Sequence, residues 1–313
     1  MKKNSLIFCL FFHLSNQFFS QTDSNNGNWQ ERVVFKKNTP EADYMIRVGD
    51  IDNLGFGWAN QFNPFTGKST DAHMYPWERD TSEILGCDMI LLPSSMGKKN
   101  APCSGDGYSG SFESLMQHFG KTTFPFQISL QGIDTAKINS VTMQLFVDDF
   151  QAKSFCTKYE VYLNSKRAPF AEKVLNALDQ TGPIGKLITI VVPKDRISDF
   201  KTTTIDLLID DKTTGAADGY AIDFIKILIN PKILKYGVVS GKLINELTGK
   251  PIANANITCG NQLVKTNSLG QYKLTQVVPG LALISVEIKG KTEQNFTIDV
   301  EENSAIVKDL FVK

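Results

Sequence analysis

The chain has no surplus of charge of either sign: among its 313 residues, 33 Lys+Arg stand against 33 Asp+Glu, for a formal net charge of +0. Nothing here would neutralise a nucleic-acid backbone, and no block of like charge forms a solvated tail. Histidine is scarce, at 3 residues, which argues against a His-rich metal centre. Neither His73 nor His118 has a second ligand at a short fixed spacing. After the first twenty residues no run of about 18 apolar residues occurs, so no transmembrane helix is expected. Two common catalytic signatures are missing. Gly182 to Leu187 has the wrong glycine spacing for a P-loop, with Leu187 where the Mg²⁺-binding hydroxyl belongs. Ser109 is out of frame for a nucleophile elbow.

What is present begins with an address. Met1-Lys2-Lys3-Asn4 is a short positive segment, Ser5 to Leu14 is apolar, and Ser20 offers a small residue at a cleavage edge. Residues 1–20 therefore read as a secretory signal peptide, and the protein is expected to be exported. Cys9 lies in the middle of the apolar run without small residues before it, a poor lipidation site. Loss of Lys2 and Lys3 leaves the mature chain slightly acidic. Cys87, Cys103, Cys156 and Cys259 remain, too few for a dense disulfide framework. A bond between Cys87 and Cys103 would close a short loop, and buried free thiols are the alternative.

Hydrophobic residues make up 42% and charged residues 21%, an ordinary globular composition. At roughly 100–200 residues per domain, the length suggests two. Strand signals dominate: Met143–Val147 with Val141 just upstream, Tyr159–Leu163, Leu187–Val192, Ile205–Ile209 and Tyr220–Ile229, separated by Asp, Asn, Gly and Pro turns. One helix is expected over Pro169–Leu178, with Phe170, Val174, Leu175 and Leu178 on one face. Beyond Asn230-Pro231 a second set of short strands runs from Val238 onward, the last of them over Ile306–Val312. The expected layout is a flexible lead-in over 21–40, a β-sandwich over 41–234 and a smaller β-sandwich over 237–313, all-β throughout.

Several segments carry chemistry-bearing side chains. Asp50, Asp52 and Asn53 fall within four residues of a glycine-rich turn, and oxygen donors at that density suit a hard cation such as Ca²⁺. The spacing is not that of an EF-hand, because Leu54 and Gln61 stand where oxygen ligands belong. The same side chains also suit local Asx turns. Phe56, Trp58, Phe62, Phe65, Tyr75 and Trp77 interleave with amides and hydroxyls, as in a sugar-stacking pocket. Trp58, Tyr75 and Trp77 are the candidates for stacking, and a core role for these rings is the competing reading. Asp148-Asp149 and Asp210-Asp211 are acidic pairs at strand ends, open to a glycosidase acid and base or to turn chemistry.

Two resemblances refine this. Gly237 to Leu243, Leu247-Thr248-Gly249-Lys250-Pro251-Ile252-Ala253-Asn254-Ala255, Thr266 to Leu274 and Val278-Pro279-Gly280 resemble, in order and spacing, a carboxypeptidase regulatory-like domain. That resemblance implies a seven-stranded, transthyretin-like sandwich, an accessory module of exported proteins, especially of Bacteroidetes-type bacteria. Its only aromatics, Tyr272, Phe296 and Phe311, are expected in its core. Ala216 to Ile227 is similar to the last strand of jelly-roll carbohydrate-binding modules, where an early acidic loop and a late strand jointly hold Ca²⁺. That likeness would place Asp50, Asp52 and Asp223 around one ion. The overall expectation is an exported, non-catalytic protein binding carbohydrate or another cell-surface ligand, with Ca²⁺ in a structural role. An adhesive surface protein and a polysaccharide hydrolase are the alternatives.

Overall fold

Long runs of β-branched and apolar residues, punctuated by turn formers, build strands here almost to the exclusion of helices. The computed structural model describes residues 22–23, 25–73, 81–96, 103, 105, 123–180, 183–232 and 235–313. The proposed signal peptide, Tyr75, Trp77 and His118 lie outside the described residues. The strands of the first part are β1 (Thr22–Asp23), β2 (Gly27–Asn28), β3 (Val33–Lys37), β4 (Ala42–Val48), β5 (Ile90–Leu91), β6 (Phe126–Ser129), β7 (Val141–Asp148), β8 (Glu160–Leu163), β9 (Lys166–Arg167), β10 (Lys186–Val191), β11 (Thr204–Asp210) and β12 (Tyr220–Pro231). The second part has β13 (Gly237–Asn245), β14 (Asn256–Cys259), β15 (Gln262–Lys265), β16 (Gln271–Val277), β17 (Gly280–Glu287), β18 (Gln294–Val300), β19 (Ala305–Val307) and β20 (Leu310–Val312). The expected helix forms over Pro169–Leu175, with proline at its start.

In the first part β10-β7-β12-β4-β3 lie side by side, and β6-β11-β8-β9 form a separate four-stranded sheet. The first roll strand, β4, pairs with the last, β12, while β6 pairs with β11 and β7 with both β12 and β10. This nesting of early strands against late ones is a jelly roll. Ile46, Met143, Leu145, Ile188, Ile225 and Ile227 from the larger sheet share a core with Ile128, Val161, Leu163, Ile205, Leu207 and Ile209. The outer face of the larger sheet is covered too: Trp29, Ile51, Phe146, Leu187 and Phe224 cluster there, with Trp58 and Phe65 packed against them.

The lead-in differs from the flexible segment expected over 21–40. Its β3 pairs with β4 through five residues, Val33 to Lys37. Arg47, fully buried in β4, donates to the carbonyls of Asn28 and Glu31 and to that of Gly49. A buried guanidinium needs such acceptors, and the lead-in supplies two of them. The disulfide also differs from the pair weighed from the sequence. Cys103 is bonded to Cys156, with Cα atoms 5.7 Å apart, while Cys87 is a buried free thiol. Cys87 is held inside, with its sulfur packed at Gly49, whereas Cys156 ends a short helix in a left-handed conformation.

The second part is a smaller sandwich. The sheet β15-β14-β17, extended by β18, packs on β16-β13-β19, with β20 also on β13. Val239, Leu243, Ile257, Leu274, Ile284, Val286, Val300 and Leu310 form its core. Tyr272 is buried there as expected, but Phe311 is 53% exposed, because its strand alternation turns Leu310 and Val312 inward instead. The two sandwiches share a sheet: β17 lies parallel to β10 at Ile188 and Leu281. Thr189 Oγ1 donates to Pro279 O (2.7 Å), Glu302 N to Thr66 O (2.8 Å), and Lys186 Nζ sits 2.9 Å from Asp299 Oδ2.

Candidate functional site

The acidic loop follows β4 directly. Val48 ends the strand, and Gly49 turns with φ +88°, so close to β12 that a Cβ would fall 2.2 Å from Asp223 O. This approach lays residues 50–57 over Asp223, whose side chain is re-aimed by a bulge in β12 between Ile222 and Phe224. A third segment arrives from residues 83–91: β5 pairs with the start of β12, and Asp88 N donates to Ile222 O (3.0 Å). Asp50, Asp52, Asp88 and Asp223 thereby converge, each offering a carboxylate oxygen within 4.8 Å of the others. Two oxygens bound to one Ca²⁺ at about 2.3–2.6 Å can be no further apart than about 5 Å, so the spacing is that of a shared ion. Three of these residues were named from the sequence. Asp88 was missed, because nothing in its local sequence links it to the loop; only the β5–β12 pairing brings it in.

Local turn chemistry accounts for part of this arrangement. Asp52 Oδ1 accepts from Gly55 N (2.7 Å), and Asp223 Oδ1 accepts from Leu54 N (3.1 Å). It leaves out Asp223 Oδ2, Asp50 Oδ1 and both oxygens of Asp88, all buried without a hydrogen-bond donor. Asp88 and Asp223 are only 2% and 0% exposed. Carboxylates removed from water without donors or counter-ions hold their protons. Burial, reinforced by the neighbouring Asp52 and Glu83, pushes the Asp50 carboxyl up to about 7. Burial and then the charge of Asp223 push Asp88 up to about 11, and burial with Asp52 holds Asp223 well above the ordinary range. Arg47 and Arg32 are the nearby cations; Arg32 sits 3.3 Å from Glu83, and Arg47 spends its donors on carbonyls. An oxygen-only donor set with surplus negative charge fits a hard divalent cation.

Immediately beyond the loop lies a cleft of about 340 Å³ whose walls include Phe56, Trp58, Phe62, Asn60, Gln61 and His73. Trp58 is half-buried. Its indole N–H donates to Ile51 O (3.0 Å), its ring stacks on Phe62 at 5.2 Å, and it meets Phe146 edge-on at 5.2 Å. The ring thus joins the outer-face core to the cleft wall. Phe56 stacks on His73 with centroids 4.0 Å apart, and His73 Nε2 lies 2.7 Å from Asp148 Oδ2.

The acidic pairs hold loops. Asp148 Oδ1 accepts from Asp149 N, and Asp149 Oδ1 accepts from Gln151 Nε2. Asp210 binds the amide and hydroxyl of Ser94. Asp211 accepts from Lys158 N, Thr213 N and Thr214 N, and from the Thr214 hydroxyl. None of the four lines the cleft beside Trp58.

No protein-family model matches the chain, and no curated protein matches it in sequence. Solved structures give remote likenesses. A candidate carbohydrate-binding protein from Bacteroides uniformis is 14% identical, with a TM-score of 0.20, over 24% of this chain. The chain covers 40% of that protein's length. The 5-hydroxyisourate hydrolase of Klebsiella pneumoniae is 12% identical, with a TM-score of 0.18, over 26% of this chain and 94% of its own. The pilus 2b backbone protein of group B streptococcus is 9% identical, with a TM-score of 0.20, over 60% of this chain and 91% of its own. Likeness at these scores carries no information on activity. No described helix is long and apolar enough to cross a membrane.

Proposed function

We propose that the protein is an exported, non-catalytic binding protein whose jelly roll takes a carbohydrate in the cleft beside Trp58. A Ca²⁺ ion held by Asp50, Asp52, Asp88 and Asp223 lies beneath that cleft. The observation that carries this reading is the junction of the two features: the loop bearing Asp50 and Asp52 runs without a break into the aromatic, amide-lined wall. Aromatic faces beside amides are suited to the apolar faces and hydroxyls of sugars. The second sandwich, with its resemblance to carboxypeptidase regulatory-like domains, serves as a mount fixed to the first through β10 and β17.

The test is retention of the mature protein in native gels cast with soluble polysaccharides, in CaCl₂. Retention on at least one, lost in Asn60→Ala/Gln61→Ala at the exposed rim, is expected. No retention on any glycan, with the protein folded, rejects carbohydrate as the ligand. For the ion, CaCl₂ at 100 times its Kd adds about 2.7 kcal/mol of stability. That is roughly 5–10 °C in Tm over the chelated protein. A second reading, adhesion to another protein, is favoured by Leu247 and Val307, 83% and 79% exposed, and by Phe311. Val307 and Phe311 sit on β19 and β20, which among the described residues pair only with β13.

A further inference from the structure

We propose that the ion at the four aspartates is the clamp that shapes the cleft, so that an empty ion site leaves the wall formed by Phe56 and Trp58 unmade. This rests on the ion reading above and adds a regulatory role to it. The ligands come from three chain segments: Asp50 and Asp52 from the loop after β4, Asp88 from the segment before β5, and Asp223 from β12. The second and third are tied together by the pairing of β5 with β12. The first meets them through its carboxylates, through Leu54 N on Asp223 Oδ1, and through the Leu54 side chain, which is buried in the core that also holds Ile90 and Ile222. The buried oxygens of Asp88 and Asp223 that lack donors point into this meeting place. Four carboxyls at such separations cannot all ionise side by side, and a divalent ion that takes the place of their protons ties the segments together.

The tie reaches the cleft through a short chain of contacts. Asp52 closes the loop, its side chain accepting from Gly55 N (2.7 Å) and its carbonyl from Gly57 N (2.7 Å). Asn53 Nδ2 adds a bond to Gly57 O (3.1 Å). Within the turn Asn53 and Leu54 hold positive φ of 65° and 58°, a strained conformation for a leucine, held here by its buried side chain and by the bond of Leu54 N to Asp223 Oδ1. Phe56, on this turn, stacks on His73, and Trp58 follows it and returns its indole N–H to Ile51 O. Two aromatic walls of the cleft are therefore set by a turn whose anchor is the ion.

The experiment uses Ca²⁺ alone as the probe, on the mature full-length protein. Calorimetric titration with CaCl₂ reports ion binding. Hydrogen-exchange mass spectrometry over residues 50–58, with and without chelator, reports the turn. Ca²⁺ is expected to bind and to slow exchange in that stretch at least tenfold. Asp88→Asn, which leaves the loop sequence intact, is expected to lose both effects. Asp52→Asn is the second variant should Asp88→Asn not fold. Binding of Ca²⁺ with unchanged exchange over 50–58 overturns the clamp and leaves the ion site standing. Absence of Ca²⁺ binding overturns both. Failure to bind polysaccharide leaves this result untouched, since no glycan enters the measurement.

Discussion

Asp211 and Asp88 show how two aspartates, both fully or nearly buried, reach opposite electrostatic states. Burial alone would raise the pKa of either. At Asp211 the donors of Lys158, Thr213 and Thr214 outweigh burial and hold the carboxyl below its ordinary value of 3.8. At Asp88 no donor answers, and the neighbouring carboxylates add to the effect of burial. The depressed pKa of Asp211 has a definite sign in stability. Its contribution is complete above the unfolded-state pKa, near 4, and is lost as pH falls through the lower folded-state value. Asp211→Ala is expected to cost on the order of 3 kcal/mol at pH 7, by removing a hydrogen-bonded charge. In urea unfolding, the gap between wild type and variant should narrow between pH 5 and pH 2. A gap that does not change across that range removes the assigned role.

At the level of elements, the strands were legible because each carries its own signal. Met143–Val147 and Tyr220–Ile229 were expected within one or two residues of their observed ends. The final strand was expected whole over Ile306–Val312 and is split into β19 and β20, where Gly241 crowds Lys308 O. The disulfide was not legible. Its partners are 53 residues apart in sequence, and local spacing offers only the nearer pair, Cys87 and Cys103, beside free thiols. Closing a loop of that length stabilises by about 4 kcal/mol in the chain-entropy treatment. Cys156→Ser should therefore lower Tm, and reductant should lower the Tm of wild type but not of the variant. Equal sensitivity to reductant in both would show that the bond adds nothing. The candidate site was half legible for a related reason. Asp50 and Asp52 advertise themselves by their spacing in a glycine-rich turn. Asp88 sits in an unremarkable context and enters only through the pairing of β5 with β12.

For the whole molecule, the deciding feature is that the two sandwiches are joined edge to edge. Gly67 marks the tightest point: it has φ +89°, and a Cβ there would fall 2.3 Å from Val300 O and 2.4 Å from Gly280 N. Both contacts are backbone, so neither can rotate away. Gly67→Ala is expected to cost on the order of 3 kcal/mol through strain and clash. Because the loss falls at the junction, scanning calorimetry should show one unfolding transition for wild type and two for the variant. A single transition at an unchanged Tm in the variant would show that the junction holds no such close contact. The loop bearing Gly67 also lines the cleft through Thr66 and Lys68, so the second sandwich supports one end of that wall.

Composition and local pattern by themselves determined that this chain is built of strands, that no run of about 18 apolar residues follows its first twenty, and where its turns and its acidic loop lie. These are properties of short windows, in which β-branched runs, glycines and prolines act over a few residues. The tertiary structure alone decided which distant groups meet: Asp88 with Asp50, Asp52 and Asp223, Cys103 with Cys156, and β10 with β17. Such meetings depend on strand order and register, which are set by how apolar faces pack across the whole molecule. A cluster of four aspartates assembled from three separate segments is a product of that packing.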